Sequence, residues 1–300
     1  MNARAFGIGL YAPAGYPADS AAVDRAVARL AALGHAVVVD PTCRSRWQRF
    51  AGSDDERLAA VMRMAADPAV DLAIAVRGGY GWSRLLDRLD FSAIAAAKKR
   101  WMGHSDFTAF QLAALEHAGM ATFAGPMAAP DFGAETPSAF TLDHCWKVLR
   151  NDRCEVVCAL DGPDYAGEGT LWGGCLSLVT HLLGTPHFPR IDGGILFLED
   201  TGESPYEVER MLYQLHFAGV FARQRAVLLG TFNGYTLAEN DNGYDAAAMV
   251  AHARARFGVH FYTGLPFGHT PEKLTLPVGG RCALAVRDGQ ARLDFSDYSR

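Results

Sequence analysis

Short apolar segments alternate with longer segments of helical period in the first half of the chain, and this alternation is the strongest constraint on its fold. The apolar segments predict four buried strands, at Phe6–Tyr11, His35–Asp40, Asp71–Val76 and Trp101–Gly103. The amphipathic segments predict helices at Ser20–Leu33, after the capping box Ser53–Glu56, and at Phe107–His117. Because strands that alternate with helices usually pair in parallel, we expect a parallel sheet covered by helices.

The middle of the chain is less regular and separates two predicted domains. Its prolines are followed by a predicted helix at about Ala139–Arg150 and a predicted strand at about Glu155–Leu160. We expect an N-terminal α/β domain over residues 1–135, a linker region over 136–165 and a smaller, mixed α/β C-terminal domain over 166–300.

The second half resumes a regular pattern with fewer elements. The predicted elements are a helix near Cys175–Leu183, a strand at Ile195–Leu198, a helix at Pro205–His216, a strand at Ala226–Leu229 and short strands after Leu274. In open α/β folds, binding sites form at the carboxyl ends of strands and between domains. We therefore expect an active site between the two domains.

Composition excludes several classes of protein. Of the 300 residues, 50% are hydrophobic and 20% are charged, which is enough apolar material for a core and argues against extended disorder. The formal charge of −5 and the lack of a long basic run argue against nucleic acid and anionic membranes as partners. No stretch of 18 apolar residues predicts a membrane span.

The N-terminus and the cysteines indicate a cytoplasmic location. The segment Met1–Tyr11 lacks the long apolar core of a signal peptide and reads as the first buried strand. The six cysteines include no Cys-x-x-Cys pair and no Cys/His cluster with zinc spacing. We expect free thiols in a reducing cytoplasm and no metal site.

Ser105 is the first candidate for chemistry. It lies in Gly103–Phe107, between a predicted strand and a predicted helix. A serine on such a turn projects its hydroxyl beside helix N-terminal amides that can hold an oxyanion. The match to Gly-x-Ser-x-Gly is incomplete because position 107 is Phe. An N-cap serine that opens the helix fits the same residues.

Three further segments carry possible site residues. The loop Arg77–Gly81 follows a buried strand and is either a structural turn or an amide-lined loop that binds an anion or substrate. Glu199 and Asp200 end a predicted strand and are either site carboxylates or solvated loop acids. His269 lies on a Gly/Pro-rich loop, which suits either a general base or a surface histidine.

Taken together and in order, these segments resemble the LD-carboxypeptidases, also called muramoyltetrapeptide carboxypeptidases, of serine peptidase family S66. The segments that carry the resemblance are Arg77–Gly81 with Ser83–Asp87, Gly103–Thr108, Gly125–Met127, Gly169–Gly174, Leu198–Glu203, Glu209–Leu212 and Phe267–His269 with Thr275–Pro277. They run across nearly the whole chain, so the ordered set is far more specific than any single segment.

The resemblance implies a Ser-Glu-His triad and an oxyanion hole. Ser105 matches the nucleophile, Glu199 the acid and His269 the base. By position, the backbone amides of Gly79 and Asp106 match the oxyanion hole. Glu203 is the competing acid, and we prefer Glu199 for its place at the strand end. No metal or organic cofactor is implied.

The resemblance also implies a substrate and an assembly. Members of the family remove the terminal D-Ala from the murein tetrapeptide L-Ala-γ-D-Glu-meso-diaminopimelate-D-Ala during cell-wall recycling in the cytoplasm, and they are commonly homodimers. Because this substrate is strongly charged, Arg77 is a candidate contact for a carboxylate. The indole of Trp172 is a candidate cover for the peptide stem.

Two alternatives remain open from the sequence. A microcin-immunity peptidase has the same triad and cleaves a peptidyl or aminoacyl nucleotide, and it needs an aromatic-lined nucleotide pocket. The segment from Trp172 to Glu199 is compact and shows no obvious aromatic cluster, which favours the murein substrate. A non-catalytic two-domain binding protein needs the cleft and the glycine loop but no triad.

Overall fold

The computed structural model describes residues 4–298, so the first three residues of the predicted segment Met1–Tyr11 lie outside the described part. The described helices are α1 (Ala21–Ala32), α2 (Asp54–Ala66), α3 (Phe91–Ala96), α4 (Phe107–Ala118), α5 (Ala139–Arg150), α6 (Leu176–Leu182), α7 (Pro205–Phe217) and α8 (Ala246–Arg256). The described strands are β1 (Gly7–Tyr11), β2 (Ala36–Val39), β3 (Leu72–Ala75), β4 (Arg100–Gly103), β5 (Thr122–Ala124), β6 (Cys154–Ala159), β7 (Tyr165–Cys175), β8 (Gly194–Thr201), β9 (Gln224–Asn233), β10 (His260–Thr263), β11 (Leu276–Val278), β12 (Arg281–Arg287) and β13 (Gln290–Ser296).

The first sheet contains six strands in the order β11-β5-β4-β3-β1-β2. The five strands from the N-terminal part pair in parallel, and β11 pairs antiparallel with β5 at one edge. β1, β3 and β4 are mostly buried, as expected for strands covered by helices on both faces. The predicted parallel α/β sheet of the N-terminal half is therefore confirmed.

The second sheet contains seven strands in the order β10-β9-β8-β7-β12-β13-β6. The strands β10, β9, β8 and β7 pair in parallel, whereas β7, β12, β13 and β6 pair antiparallel. β7 joins the two halves, because its first residues pair with β12 and its last five residues pair with β8. The C-terminal half is thus mixed α/β, as the sequence predicts.

Each sheet takes a strand from outside its main segment. The predicted linker region 136–165 contains α5 and also β6, the edge strand of the second sheet. In return, β11 leaves the C-terminal part of the chain and completes the edge of the first sheet. The chain therefore passes between the two sheets three times.

Helix α4 packs against both halves of the molecule. Its first eight residues, Phe107–Ala114, are all buried, as expected for a helix that is apolar on every side. It contacts α3 and β5 on one side and α6 and β7 on the other. Near its start, Thr108 Oγ1 accepts a hydrogen bond of 3.1 Å from the backbone N–H of Cys175 in β7. The residue before this helix is therefore held at the junction of the two sheets.

Three further predictions can be compared with the residues that the structure describes. The capping box is confirmed, since Ser53 Oγ accepts from Glu56 N and the Glu56 carboxylate accepts from Ser53 N at 2.7 Å. The six cysteines all lie within residues 4–298 and are unpaired. Across the same residues, no helix combines the length and the apolar character needed to cross a bilayer.

We predict that Leu276→Ala lowers the free energy of unfolding by about 2–5 kcal/mol, because Leu276 in β11 is fully buried and its truncation leaves a cavity. Leu33→Ala is the matched control, because Leu33 is 49% exposed after α1, and its effect stays within about 0.5 kcal/mol. Urea denaturation followed by circular dichroism measures both. Equal effects of the two changes would contradict a structural role for β11.

Candidate active site

Ser105 occupies a strained turn between β4 and α4. Its φ is +65°, a left-handed conformation that costs energy for a residue with a side chain. Close packing holds the turn in place. A Cβ on Gly78 would lie 2.7 Å from Ser105 Cβ, and a Cβ on Gly103 would lie 2.8 Å from the Phe107 ring. Gly78 therefore lets the glycine loop touch Ser105, and Gly103 makes room for the Phe107 ring that follows the serine.

The N-cap role considered for Ser105 is not what the structure shows. The N-cap position of α4 is Asp106, and its side chain does not cap the helix. Asp106 Oδ2 instead accepts a hydrogen bond of 3.0 Å from Trp82 N, just after the glycine loop. Burial raises the pKa of Asp106 to about 6, although the hydrogen bond from Trp82 and the charge of Arg57 oppose this rise. The Asp106 side chain therefore ties the two loops together.

Glu199 and His269 form a buried hydrogen-bonded pair. His269 Nδ1 lies 2.7 Å from Glu199 Oε2, and the Glu199 side chain is fully buried while that of His269 is 22% exposed. Glu199 is the sixth residue of β8, and the backbone carbonyl of His269 accepts a hydrogen bond of 3.1 Å from Asn233 Nδ2 at the end of β9. Glu199 is thus no solvated loop acid, and His269 is no isolated surface histidine.

The pair shifts the pKa of each partner. Burial raises the pKa of the Glu199 carboxyl, and the hydrogen bond and charge of His269 limit that rise. Burial works against protonation of His269, but the hydrogen bond and charge of Glu199, together with the charge of Asp200, more than offset it, so the pKa of His269 is raised. An imidazole held this way gains proton affinity, as a general base requires.

Two glycines let the histidine loop approach β8 and β9 closely. A Cβ on Gly230 would lie 2.3 Å from the carbonyl oxygen of Phe267. Gly268 has φ +148°, and a Cβ there would lie 3.1 Å from Thr231. Any side chain at either position would push the loop away from β9, the strand that pairs with β8.

A cavity of about 790 Å³ lies between the two halves, within the size range of small-molecule sites. Of the residues predicted from sequence, Ser105, His269, Gly79 and Arg77 line it. Glu199 lies behind His269, where its carboxylate contacts the imidazole. Residues from both halves of the chain therefore meet at one cavity.

Arg77 lines the cavity and also makes a structural bond. Its Nη1 donates to the carbonyl oxygen of Tyr16 at 3.0 Å, and its side chain is half-buried. Arg77 therefore lies where a substrate contact is expected, and it also helps to fix the glycine loop.

Trp172 lies away from the cavity. It is 1% exposed in β7, its Nε1 donates to Gln224 Oε1 at 2.8 Å, and its ring packs edge-on against Phe188. The indole belongs to the core of the C-terminal half and cannot cover a substrate in the cavity. The expectation that Trp172 contacts the peptide stem is therefore wrong. Strand β7 turns this side chain toward the helices instead.

Three buried polar residues of the cavity wall received no role from the sequence. They are His104, Asp131 and Lys273. His104 Nδ1 donates to the carbonyl oxygen of Gly125 at 3.1 Å, and burial holds the pKa of His104 well below its usual range. Asp131 and Lys273 form a buried ion pair. Residues so far apart in sequence give no local pattern that would have predicted this contact.

Comparison with protein families agrees with this two-part construction. Residues 8–125 match the model of the LD-carboxypeptidase N-terminal domain, and residues 168–284 match that of the LD-carboxypeptidase C-terminal domain. The chain belongs to the LD-carboxypeptidase family. The resemblance inferred from the sequence is thereby confirmed.

Known relatives match most of the chain. A probable murein peptide carboxypeptidase of Bacillus subtilis is 30% identical over 96% of this chain and 91% of that protein. The crystal structure of a muramoyltetrapeptide carboxypeptidase from Oxalobacter formigenes has a TM-score of 0.92 at 45% identity, covering 97% of this chain and 99% of that one. The microcin C7 self-immunity protein MccF of Escherichia coli is 27% identical over 78% of this chain and 76% of that protein.

We predict that Glu199→Gln lowers the pKa of His269, because the change removes the negative charge that raises it while the burial that opposes protonation remains. Glu203→Gln is the matched control, since Glu203 is partly exposed four residues further on, and we expect no change there. Titration of the imidazole by ¹H–¹⁵N NMR measures both. A larger shift in the Glu203 variant would overturn the choice of acid.

Proposed function

We propose that this LD-carboxypeptidase family member is a serine peptidase in which Ser105 is the nucleophile, His269 the general base and Glu199 the acid. The observation that carries the proposal is the bond between His269 Nδ1 and the buried Glu199 carboxylate, on a cavity that Ser105 also lines. Bonding through Nδ1 leaves Nε2 as the nitrogen that takes the serine proton.

The proposed reaction has two halves. Nε2 of His269 accepts the hydroxyl proton while Ser105 Oγ bonds to the carbonyl carbon of the scissile amide, and the carbonyl oxygen becomes an oxyanion. The C–N bond then breaks as Nε2 returns its proton to the leaving amine, which leaves an acyl-enzyme. Water, deprotonated by His269, attacks the ester, and Oγ leaves with a proton.

We assign the oxyanion hole to the backbone amides of Gly79 and Asp106. Asp106 follows the nucleophile at the start of α4, where helix N–H groups favour negative charge. Gly79 lines the cavity in a left-handed conformation with φ +103°. Loss of one such donor typically slows acyl transfer by about 10²–10³-fold.

We propose that the substrate is the murein tetrapeptide L-Ala-γ-D-Glu-meso-diaminopimelate-D-Ala or a muropeptide that contains it, and that the terminal D-Ala is released in the cytoplasm. Support comes from the relatives named for murein peptide and muramoyltetrapeptide. The cavity also suits charged peptides, because the side chains of Arg25 and Arg77 both reach its wall. We further propose a homodimer, which light scattering after size-exclusion chromatography can measure.

We predict that the wild-type protein releases one alanine from this tetrapeptide and that Ser105→Ala lowers kcat by at least about 10³-fold, because the acyl-enzyme can no longer form. Ser92→Ala, at an exposed serine of α3, is the matched control and keeps wild-type activity. Mass spectrometry of the peptide products measures all three proteins. Equal alanine release by the wild type and the Ser105 variant would exclude Ser105 as the nucleophile.

The second candidate function is cleavage of a peptidyl or aminoacyl nucleotide, supported by the relative named as a microcin immunity protein. Trp172 and Phe188 pack on each other in the C-terminal half, and neither lines the cavity, so they offer no stacking surface to a nucleobase there. An aminoacyl-sulfamoyl adenylate assayed beside the tetrapeptide separates the two functions. Turnover of the adenylate alone would transfer the proposal to this substrate.

A further inference from the structure

A buried ion pair forms part of the cavity wall beside the proposed triad. Asp131 belongs to a π-helical turn, Ala128–Phe132, which follows β5, and Lys273 lies four residues beyond His269. The Lys273 Nζ bonds to Asp131 Oδ1, and the two side chains are only 3% and 5% exposed. Such pairs rarely stabilise a fold more than apolar residues of similar size would, so stability alone does not account for this one.

The pair lies among hydrogen bonds that connect the histidine loop to the N-terminal half. Asp131 Oδ2 accepts from the backbone N–H of Met127 at 2.7 Å. Thr141 Oγ1, on α5, accepts from Lys273 N at 2.9 Å and donates to the carbonyl oxygen of Pro271 at 2.8 Å. These contacts connect the segment after His269 to the half of the molecule that carries Ser105.

Charged and titratable groups face His269 from several elements. They are Glu199 and Asp200 from β8, Lys273 from the same loop, His104 from the turn before α4 and Asp131 from the π-helical turn. The charge of Lys273 opposes protonation of His269, and the charge of His269 in turn favours ionised Asp131. The buried pair therefore acts on the imidazole with two opposite charges.

We propose that the Asp131–Lys273 pair is a positioning element of the active site, which fixes the His269 loop against the Ser105 half and balances the charge beside the imidazole. This inference rests on the proposed role of His269 as general base. Neither partner acts on the substrate directly. They act through the position of His269 and through the charges around its imidazole.

The proposal gives the two partners opposite effects on His269. Lys273→Met removes the positive charge that opposes protonation of His269, so the pKa of His269 rises and the acid limb of the kcat/KM profile moves to higher pH. Asp131→Asn leaves a cation there, so the pKa falls and the limb moves to lower pH. The double variant removes both charges, and its acid limb returns toward that of the wild type.

The positioning of the His269 loop is tested separately from the charge balance beside the imidazole. We expect Lys273→Met to lower kcat/KM by about 10²-fold, the loss that a displacement of about 1 Å can cause, and Lys273→Arg to recover most of it. Lys98→Met is the matched control, because Lys98 is exposed on the turn after α3, and it keeps the wild-type value and profile. If Lys273→Met fails to fold, the double variant and Lys273→Arg are compared with the wild type instead.

NMR titration of the His269 imidazole separates this inference from the proposed function, because it needs no turnover. If the wild type releases no alanine, the function fails, while opposite shifts of the imidazole in the two single variants still support the pair. Shifts in the same direction, or none in either variant, would overturn the charge balance. Wild-type kcat/KM in Lys273→Met would overturn the positioning role.

Discussion

The hydrogen bond between Glu199 and His269 is the interaction on which the arrangement of the site depends. A carboxylate with no exposed surface is costly to bury, and the imidazole 2.7 Å away offsets that cost by giving it a hydrogen bond and, when protonated, an opposite charge. The imidazole of His269 lies on a loop, and the surrounding structure holds that loop in place. Gly230 and Gly268 let it approach the strand, and Asn233 holds its backbone. His269 thus owes its place to residues that make no chemical contribution of their own.

The serine side of the cavity is built differently. Ser105 lies on a left-handed turn between β4 and α4, a strained backbone that its surroundings must hold in place. Contacts with Gly78 and the bond from Trp82 to Asp106 then lock that turn against the glycine loop. The place of Ser105 therefore depends on a turn and a neighbouring loop of the same sheet, whereas the pairing of Glu199 with His269 joins residues 70 apart in sequence.

This difference explains what the sequence could predict. The helix Ala139–Arg150 and the capping box at Ser53 follow from local periodicity and hydrogen-bonding chemistry, and both were found where predicted. Strand β7 was not predicted, because its glycines lower strand propensity and its middle changes partners from β12 to β8. Trp172 lies on this strand, and the direction of its side chain depends on the strand pairing, which the sequence does not show. The expected contact of Trp172 with the substrate was therefore wrong. The Asp131–Lys273 contact joins distant segments and has no local signature.

The return of β11 to the first sheet has a consequence for how the protein is made. The edge of the N-terminal sheet is completed by residues near the other end of the chain, so this half cannot finish folding as an independent unit during synthesis. β11 begins seven residues after His269, so the strand that completes the sheet of Ser105 leaves the ribosome only after the histidine has done so. A nascent chain therefore carries no finished sheet around Ser105 until the loop that carries His269 has been synthesised.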